Sequence, residues 1–189
     1  MAELVTLDEY KTYKGITNPD KDDQIRYIVS AVNSLVKNYC NRSFVDHYSG
    51  ADLTVYFDGT STDLVYLDEI PIITIASVSV SSDGGVTETA LVENTDYFVD
   101  LEEGTVQTVT GSFFSTGYAH HSLKVVYAGG YEVAPEDLKI ACLDLVDYYK
   151  NEDYTAKKSL RMVGEVVSST AKTLPPHIKR VMDLYRIIY

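Results

Sequence analysis

Apolar positions recur at helical spacing between Asp22 and Tyr39, where Ile25, Ile28, Val29, Val32, Leu35, Val36 and Tyr39 fall at i, i+3, i+4, i+7, i+10, i+11 and i+14. That stripe fits a period of 3.6 and has no counterpart on one face of a strand, so it predicts a long amphipathic helix. Arg26, Ser30, Asn33 and Lys37 are expected on its polar side. A stripe this wide needs an apolar partner. The next comparable surfaces come only after a long strand-like region: Leu138, Ala141, Cys142, Leu145, Val146 and Tyr149, and then Ile178, Val181, Met182 and Tyr185. Two helices from the start of the chain are therefore expected to pack with two from its end.

The start and stop signals agree with this reading. Thr6-Leu-Asp-Glu9 has the form of a capping box, and Lys14-Gly15 closes the short helix it opens, about Leu7 to Tyr13. Asp20 to Asp23 feed the positive end of the long helix. Their order lacks the alternate ligands, central Gly and terminal Glu of an EF-hand, so a calcium loop is not expected. Pro135-Glu-Asp-Leu opens the third helix, and Leu174-Pro-Pro opens the fourth, which is expected to reach the C-terminus.

Between these helices the period changes to two. Leu53 to Phe57, Leu64 to Leu67, Ile72 to Val80, Glu88 to Val92, Tyr97 to Leu101, Thr105 to Val109 and Ser122 to Tyr127 read as strands, with clean alternation in Ala76-Ser-Val-Ser-Val80. Asp58-Gly59, Asp83-Gly-Gly85 and Glu103-Gly104 supply turns, and hairpin-length links favour antiparallel pairing. The expected fold class is α+β: a small helical bundle, residues 1–44 and 132–189, carrying an inserted antiparallel β sandwich or barrel at residues 45–131. Within the bundle, residues 152–173 break the helical pattern and read as an extended arm or a surface loop.

Composition narrows the function. At 189 residues with 45% hydrophobic and 23% charged content, the chain can bury its own core. No apolar run approaches the ~18 residues of a membrane span, and the N-terminus lacks the basic and apolar regions of a secretory signal, so a protein that stays in the cytosol where it is made is expected. Cys40 and Cys142 then read as buried free thiols. A net charge of −12 argues against gripping nucleic acid through its phosphates, yet an acidic wall suits a conduit that must not hold DNA.

Candidate chemistry is sparse. Of the four histidines, His47, His120, His121 and His177, none sits in a recognisable motif. His120 and His121 are neighbours best placed in a loop, and Asp58-Gly-Thr60 has one carboxylate where a protease dyad needs two. Asp144 and Asp147 read as the solvated edge of a helix, and Gly129-Gly130 as a link lacking the rest of a phosphate loop. No catalytic, metal or cofactor residue is assigned, and no enzymatic activity is expected. Sixteen tyrosines with no tryptophan are the one unusual feature, consistent with β packing and with half-buried subunit contacts alike.

Three stretches, taken in order, resemble the head-to-tail adaptor (connector) proteins of tailed bacteriophages. They are Leu4-Val-Thr-Leu-Asp-Glu-Tyr-Lys-Thr-Tyr, leading to Tyr39-Cys-Asn-Arg-Ser-Phe44; Leu67-Asp-Glu-Ile-Pro-Ile-Ile-Thr-Ile-Ala-Ser-Val78; and Val133-Ala-Pro-Glu-Asp-Leu through Leu174-Pro-Pro-His-Ile-Lys-Arg-Val-Met-Asp-Leu-Tyr-Arg186. The resemblance implies a virion protein of the neck, made in the host cytoplasm. It would form a dodecameric homo-oligomeric ring below the portal protein, extend the DNA channel and receive stopper or tail-completion proteins. Genomic DNA would pass without specific binding, eased by acidic residues toward the lumen, and no membrane would be involved. It also implies portal or neighbouring-subunit contacts for Met162, Val163, Gly164, Glu165, Val166 and Val167 of the arm and for Arg186 and Tyr189 near the C-terminus. An exposed Val-rich arm suits strand addition to a partner's sheet. The β insert is larger than the resemblance accounts for, and its role is left open. A different reading, a β-rich carbohydrate or surface-binding module on a helical base with Tyr side chains as stacking platforms, fits the same composition.

Overall fold

The computed structural model describes residues 2–48, 52–59, 63–109, 111, 120–151 and 174–187. They form an α+β fold of four helices and seven strands, the strands in two antiparallel sheets that close no barrel among the described residues. The chain divides into two compact units, residues 3–41 with 134–189, and residues 1–2 with 42–133.

In the helical unit, α1 (Leu7–Lys14) starts with the reciprocal capping box. The Thr6 hydroxyl accepts from the Glu9 amide at 3.2 Å, and the Glu9 carboxylate accepts from the Thr6 amide at 2.8 Å. Gly15, at φ +64°, ends the helix in the left-handed conformation. The long helix α2 (Asp22–Cys40) buries Ile25, Val29, Val32, Val36 and Cys40. It also buries Asn33 and Lys37, which the sequence pattern puts on the polar side, while Ile28, Leu35 and Tyr39 of the apolar stripe stay half-exposed. At ~100° per residue the buried arc is thus turned by roughly 60° from the apolar stripe. The cause is the segment before α1: Leu4 and Val5 are buried, and Asn33 binds both backbone groups of Val5, accepting from its amide at 3.2 Å and donating to its carbonyl at 2.9 Å.

Helix α3 (Glu136–Lys150) buries Leu138, Ala141, Cys142, Leu145 and Val146 as its stripe requires, and packs against α2. Its two aspartates stay half-exposed at the edge of the stripe and also hold α1. Asp147 accepts from the Tyr10 hydroxyl at 3.1 Å and pairs with Lys14 at 3.2 Å, while Asp144 accepts from the Tyr13 hydroxyl at 3.1 Å, so both fasten α1 to α3. Helix α4 (Pro176–Leu184) begins at its prolines and buries Ile178 and Met182, but it stops at Leu184 short of the C-terminus.

In the β unit, β1 (Leu53–Phe57), β7 (Leu123–Gly129), β3 (Ile72–Val80) and β4 (Thr89–Ala90) lie in that order in one sheet. The other sheet has the order β2 (Leu64–Tyr66), β6 (Thr105–Thr108), β5 (Tyr97–Asp100). Leu123, Val125 and Tyr127 alternate into a core that also takes Val78 from β3 and Val65, Val106 and Tyr97 from the second sheet. The alternation expected over residues 76–80 does not appear as alternating burial, because Val78 is buried in the core while Ser79, on the opposite face of the strand, is covered beside Glu88, whose carboxylate accepts from its hydroxyl at 3.4 Å.

Three backbone segments meet inside this unit. Glu69, almost fully buried, accepts from the amides of Ser43 and Phe44, and its own amide donates to the Tyr127 hydroxyl at 3.1 Å. The Arg42 guanidinium donates to the Ile70 carbonyl and lies 5.0 Å from the Phe44 ring. The Phe44 carbonyl accepts from Tyr131 at 2.7 Å, and the Pro71 carbonyl from Gly130 at 2.9 Å. Gly129-Gly130 is therefore a close-packed crossing and not merely a link.

Candidate assembly surfaces

One group of titratable side chains lies on a turn of the β unit. His120 and His121 stack with ring centroids 3.7 Å apart, and Tyr56 stacks on His121 at 4.5 Å. Asp58 accepts from the His121 amide at 2.8 Å and lies 3.0 Å from Nδ1 of His120, and the His121 amide above all holds its carboxyl below the usual range. Among the described residues no nucleophile stands in the order of nucleophile, base and orienting group with this stacked pair of rings. Among the described residues no three His, Cys, Asp or Glu side chains are placed to hold a metal ion, and no helix is long and apolar enough to cross a membrane. Cys40 and Cys142 are buried and in no disulfide, and burial pushes the Cys142 thiol up to about 12, which makes it packing material and not a nucleophile.

Among its described residues the helical unit has an apolar groove. The turned burial of α2 leaves Ile28, Ala31 and Leu35 open, and with Tyr27 and with Tyr149 and Lys150 at the end of α3 they line a cavity of about 560 Å³. Tyr27 is 78% exposed. An apolar recess on a helix face is the kind of surface that receives another chain.

The end of the described chain is strapped to the end of α2. Ile187 donates to the Cys40 carbonyl at 3.0 Å, and Asn41 donates to the Ile187 carbonyl at 3.1 Å. Tyr39 donates to Asp183 at 2.5 Å, Lys179 pairs with the same carboxylate at 2.9 Å, and the exposed Arg186 lies 5.1 Å from the Tyr39 ring. Arg186 is thus held at the surface by its aromatic neighbour. Met162, Val163, Gly164, Glu165, Val166, Val167 and Tyr189 lie outside the described residues.

The strap has a pH signature. The Tyr39 hydrogen bond, and after it that from Lys179, keeps the Asp183 carboxyl below its ordinary range. A depressed folded-state value means that the unfolded chain binds the proton more readily, so the contribution is present above the ordinary carboxylate pKa and is lost as pH falls through the lowered one. Asp183→Asn is expected to flatten the acid limb of a urea-unfolding profile taken between about pH 3 and pH 7. An unchanged acid limb would show that the carboxylate plays no such part.

The second sheet presents a further surface. Its register places Leu64, Gln107 and Phe98 in one row and Tyr66, Thr105 and Asp100 in the next, on the face away from Val65, Val106 and Val99. Sequence reading identified these strands but not that Leu64, Tyr66 and Phe98 share their outer face with Gln107, Thr105 and Asp100. The signal present was Leu64 and Tyr66 two apart in β2.

The family model for head completion proteins matches residues 3–188. The head completion protein of Escherichia phage T5 is 22% identical over 185 residues, covering 97% of this chain and 98% of its own length. Among solved structures, the neck of an empty GTA particle computed with C6 symmetry contains a chain that superposes with a TM-score of 0.60 at 12% identity, over 98% of this chain and 91% of that one. The neck of a native GTA particle computed with C12 symmetry gives 0.57 at 12% identity, over 100% and 95%. The structural likeness concerns the fold, whereas the family match runs almost from end to end: this chain belongs to the head completion protein family.

Proposed function

We propose that the chain works as a non-enzymatic ring, twelve copies assembled beneath the portal, that extends the DNA channel and gives stopper or tail proteins a surface to dock on. The observation that carries this reading is the match over residues 3–188 to head completion proteins, joined to a helical unit that keeps an apolar groove uncovered. The C6 and C12 symmetries named for the GTA necks agree with a ring, and twelve copies suit both. The groove serves as the seat for a neighbouring subunit. Residues 162–167, with Arg186 and Tyr189, reach the portal or the next copy.

The distribution of charge refines how DNA passes. Residues 42–133 hold 14 of the 28 acids and only two of the 16 Lys and Arg, so they carry the whole net charge of −12, and the rest of the chain balances to zero. A channel lined by helical units therefore presents balanced charge. It neither condenses DNA nor relies on an acidic wall.

Negative-stain electron microscopy of the purified protein, alone and mixed with purified portal, tests this. Rings in one or both samples, with portal binding lost when residues 162–167 are deleted, are expected. Dispersed monomers that ignore the portal would overturn the reading.

A further inference from the structure

The helical unit carries a recess and, elsewhere on its surface, an apolar projection. The recess is the groove at Tyr27, Ile28, Ala31 and Leu35 of α2, with Tyr149 of α3 as a further wall. Lys150 also lines it. The Lys150 ammonium lies 5.4 Å from the Tyr10 ring, and among the described residues no carboxylate is paired with it. The projection is made by Ile140 and Leu184, 51% and 76% exposed. At ~100° per residue Ile140 stands roughly 160° round α3 from the buried Leu138, pointing away from the core stripe. The Tyr185 hydroxyl donates to Asp137 at 2.7 Å, one turn before Ile140, and so brings the end of α4, where Leu184 lies, to the same part of α3. Glu136, four residues before Ile140 and on its side of the helix, is exposed.

The position of the two patches decides how copies can meet. Ile140 and Tyr149 are separated by ~13.5 Å along α3, so recess and projection are distinct surfaces. Two copies facing each other recess to recess would leave both concavities unfilled. The projection of one copy entering the recess of the next leaves a free recess at one end of the pair and a free projection at the other. Such a head-to-tail contact repeats, and it closes into a ring when its rotation allows. The charges agree with this pairing: an acid, Glu136, accompanies the projection and a cation, Lys150, lines the recess. The helical unit as a whole carries no net charge to hold copies apart. We propose that Ile140 and Leu184 of one copy fill the groove of the next, with Glu136 set against Lys150 across the contact. The proposal rests on the ring reading, and it names the element that enters the groove and gives the ring a direction.

The test uses the full chain with Ala31→Cys, with Leu184→Cys and with both, assembled alone and on purified portal, then treated with a short bismaleimide and run on a denaturing gel. Cys40 and Cys142 are buried, and the unaltered chain is the control for them. The double variant is expected to give a ladder that climbs past the dimer, an equal mixture of the single variants to give dimers and nothing larger, and each single variant alone to give no linked product. Leu184→Cys linking to itself would overturn the proposal, because copies would then meet face to face. Glu136→Lys is expected to raise the concentration needed for half-assembly about tenfold, and adding Lys150→Glu to recover most of that loss. No recovery would overturn the charge pairing. If rings form while the double variant gives no ladder, another partner fills the groove, the inference fails and the ring role stands. If no ring forms with or without portal, the ring role itself has failed.

Discussion

Replacing Gly130 by alanine is expected to lower the unfolding free energy of the β unit by about 3 kcal/mol or more, enough to leave a marginal unit partly unfolded at ambient temperature. Two effects add. Gly130 sits at φ +97°, where an L side chain costs ~1–3 kcal/mol. Its new Cβ would also stand 2.3 Å from the Phe44 carbonyl oxygen, an overlap with backbone that costs a further ~1–3 kcal/mol. That oxygen has little room to retreat, because it accepts from Tyr131 at 2.7 Å while the Phe44 amide is bound to the buried Glu69 carboxylate. Gly129 repeats the constraint, with a Cβ there falling 2.1 Å from the Glu69 carbonyl oxygen. Gly84 provides the control within the same unit. It has φ +77°, but its Cβ would meet nothing closer than the His120 carbonyl at 3.7 Å, so Gly84→Ala is expected to cost only the backbone share, ~1 kcal/mol. Urea unfolding monitored by circular dichroism distinguishes the two. Equal losses in both variants would mean that the crossing of residues 42–44, 69–71 and 129–131 is not tightly packed.

These glycines also show where sequence reading stops. A pair of glycines between a strand and a proline-led helix looks like a connector, and nothing local reveals that another part of the chain, at Phe44, lies against it. The helices and strands themselves were legible because each carries its own signal: the capping box at Thr6 and Glu9, the left-handed stop at Gly15, the proline start at Pro176, and the alternation of Leu123, Val125 and Tyr127. Relations between elements were not. Asp144 and Asp147 are polar residues at the margin of an apolar stripe, and only the arrival of Tyr10, Tyr13 and Lys14 from α1 turns them into fasteners. Charge was legible in total but not in its consequence. A net −12 reads as an acidic protein until the division into units assigns all of it to the β unit and none to the helical one. Of the residues expected to make assembly contacts, only Arg186 lies among those described, and its place over Tyr39 accounts for its position without identifying what it touches in a ring.

Asn33 carries the second large expectation, and it is the residue for which periodicity alone gave the opposite answer. On the helical wheel it belongs with Ser30 and Lys37, away from the apolar stripe, and there a change to alanine would alter stability by no more than ~0.5 kcal/mol. In the folded chain its amide group replaces the backbone partners that Val5 lacks in the extended lead-in to α1, with both hydrogen bonds buried. Asn33→Ala leaves a buried N–H and a buried C=O unpaired at ~1–3 kcal/mol each, so the helical unit is expected to lose about 3 kcal/mol. Asn33→Asp keeps the acceptor for the Val5 amide but turns a second oxygen toward the Val5 carbonyl. It is therefore expected to be no better at neutral pH and to recover in part on acidification, when the protonated carboxyl again donates. Ser34→Ala and Ser30→Ala, at exposed positions of the same helix, provide the baseline. Hydrogen exchange at the Val5 amide reads the same contact directly, with protection lost in Asn33→Ala and kept in Ser30→Ala. An Asn33→Ala variant as stable as the serine controls, with Val5 still protected, would return Asn33 to the polar face and undo the turned burial of α2 from which the open groove at Ile28, Ala31 and Leu35 was derived.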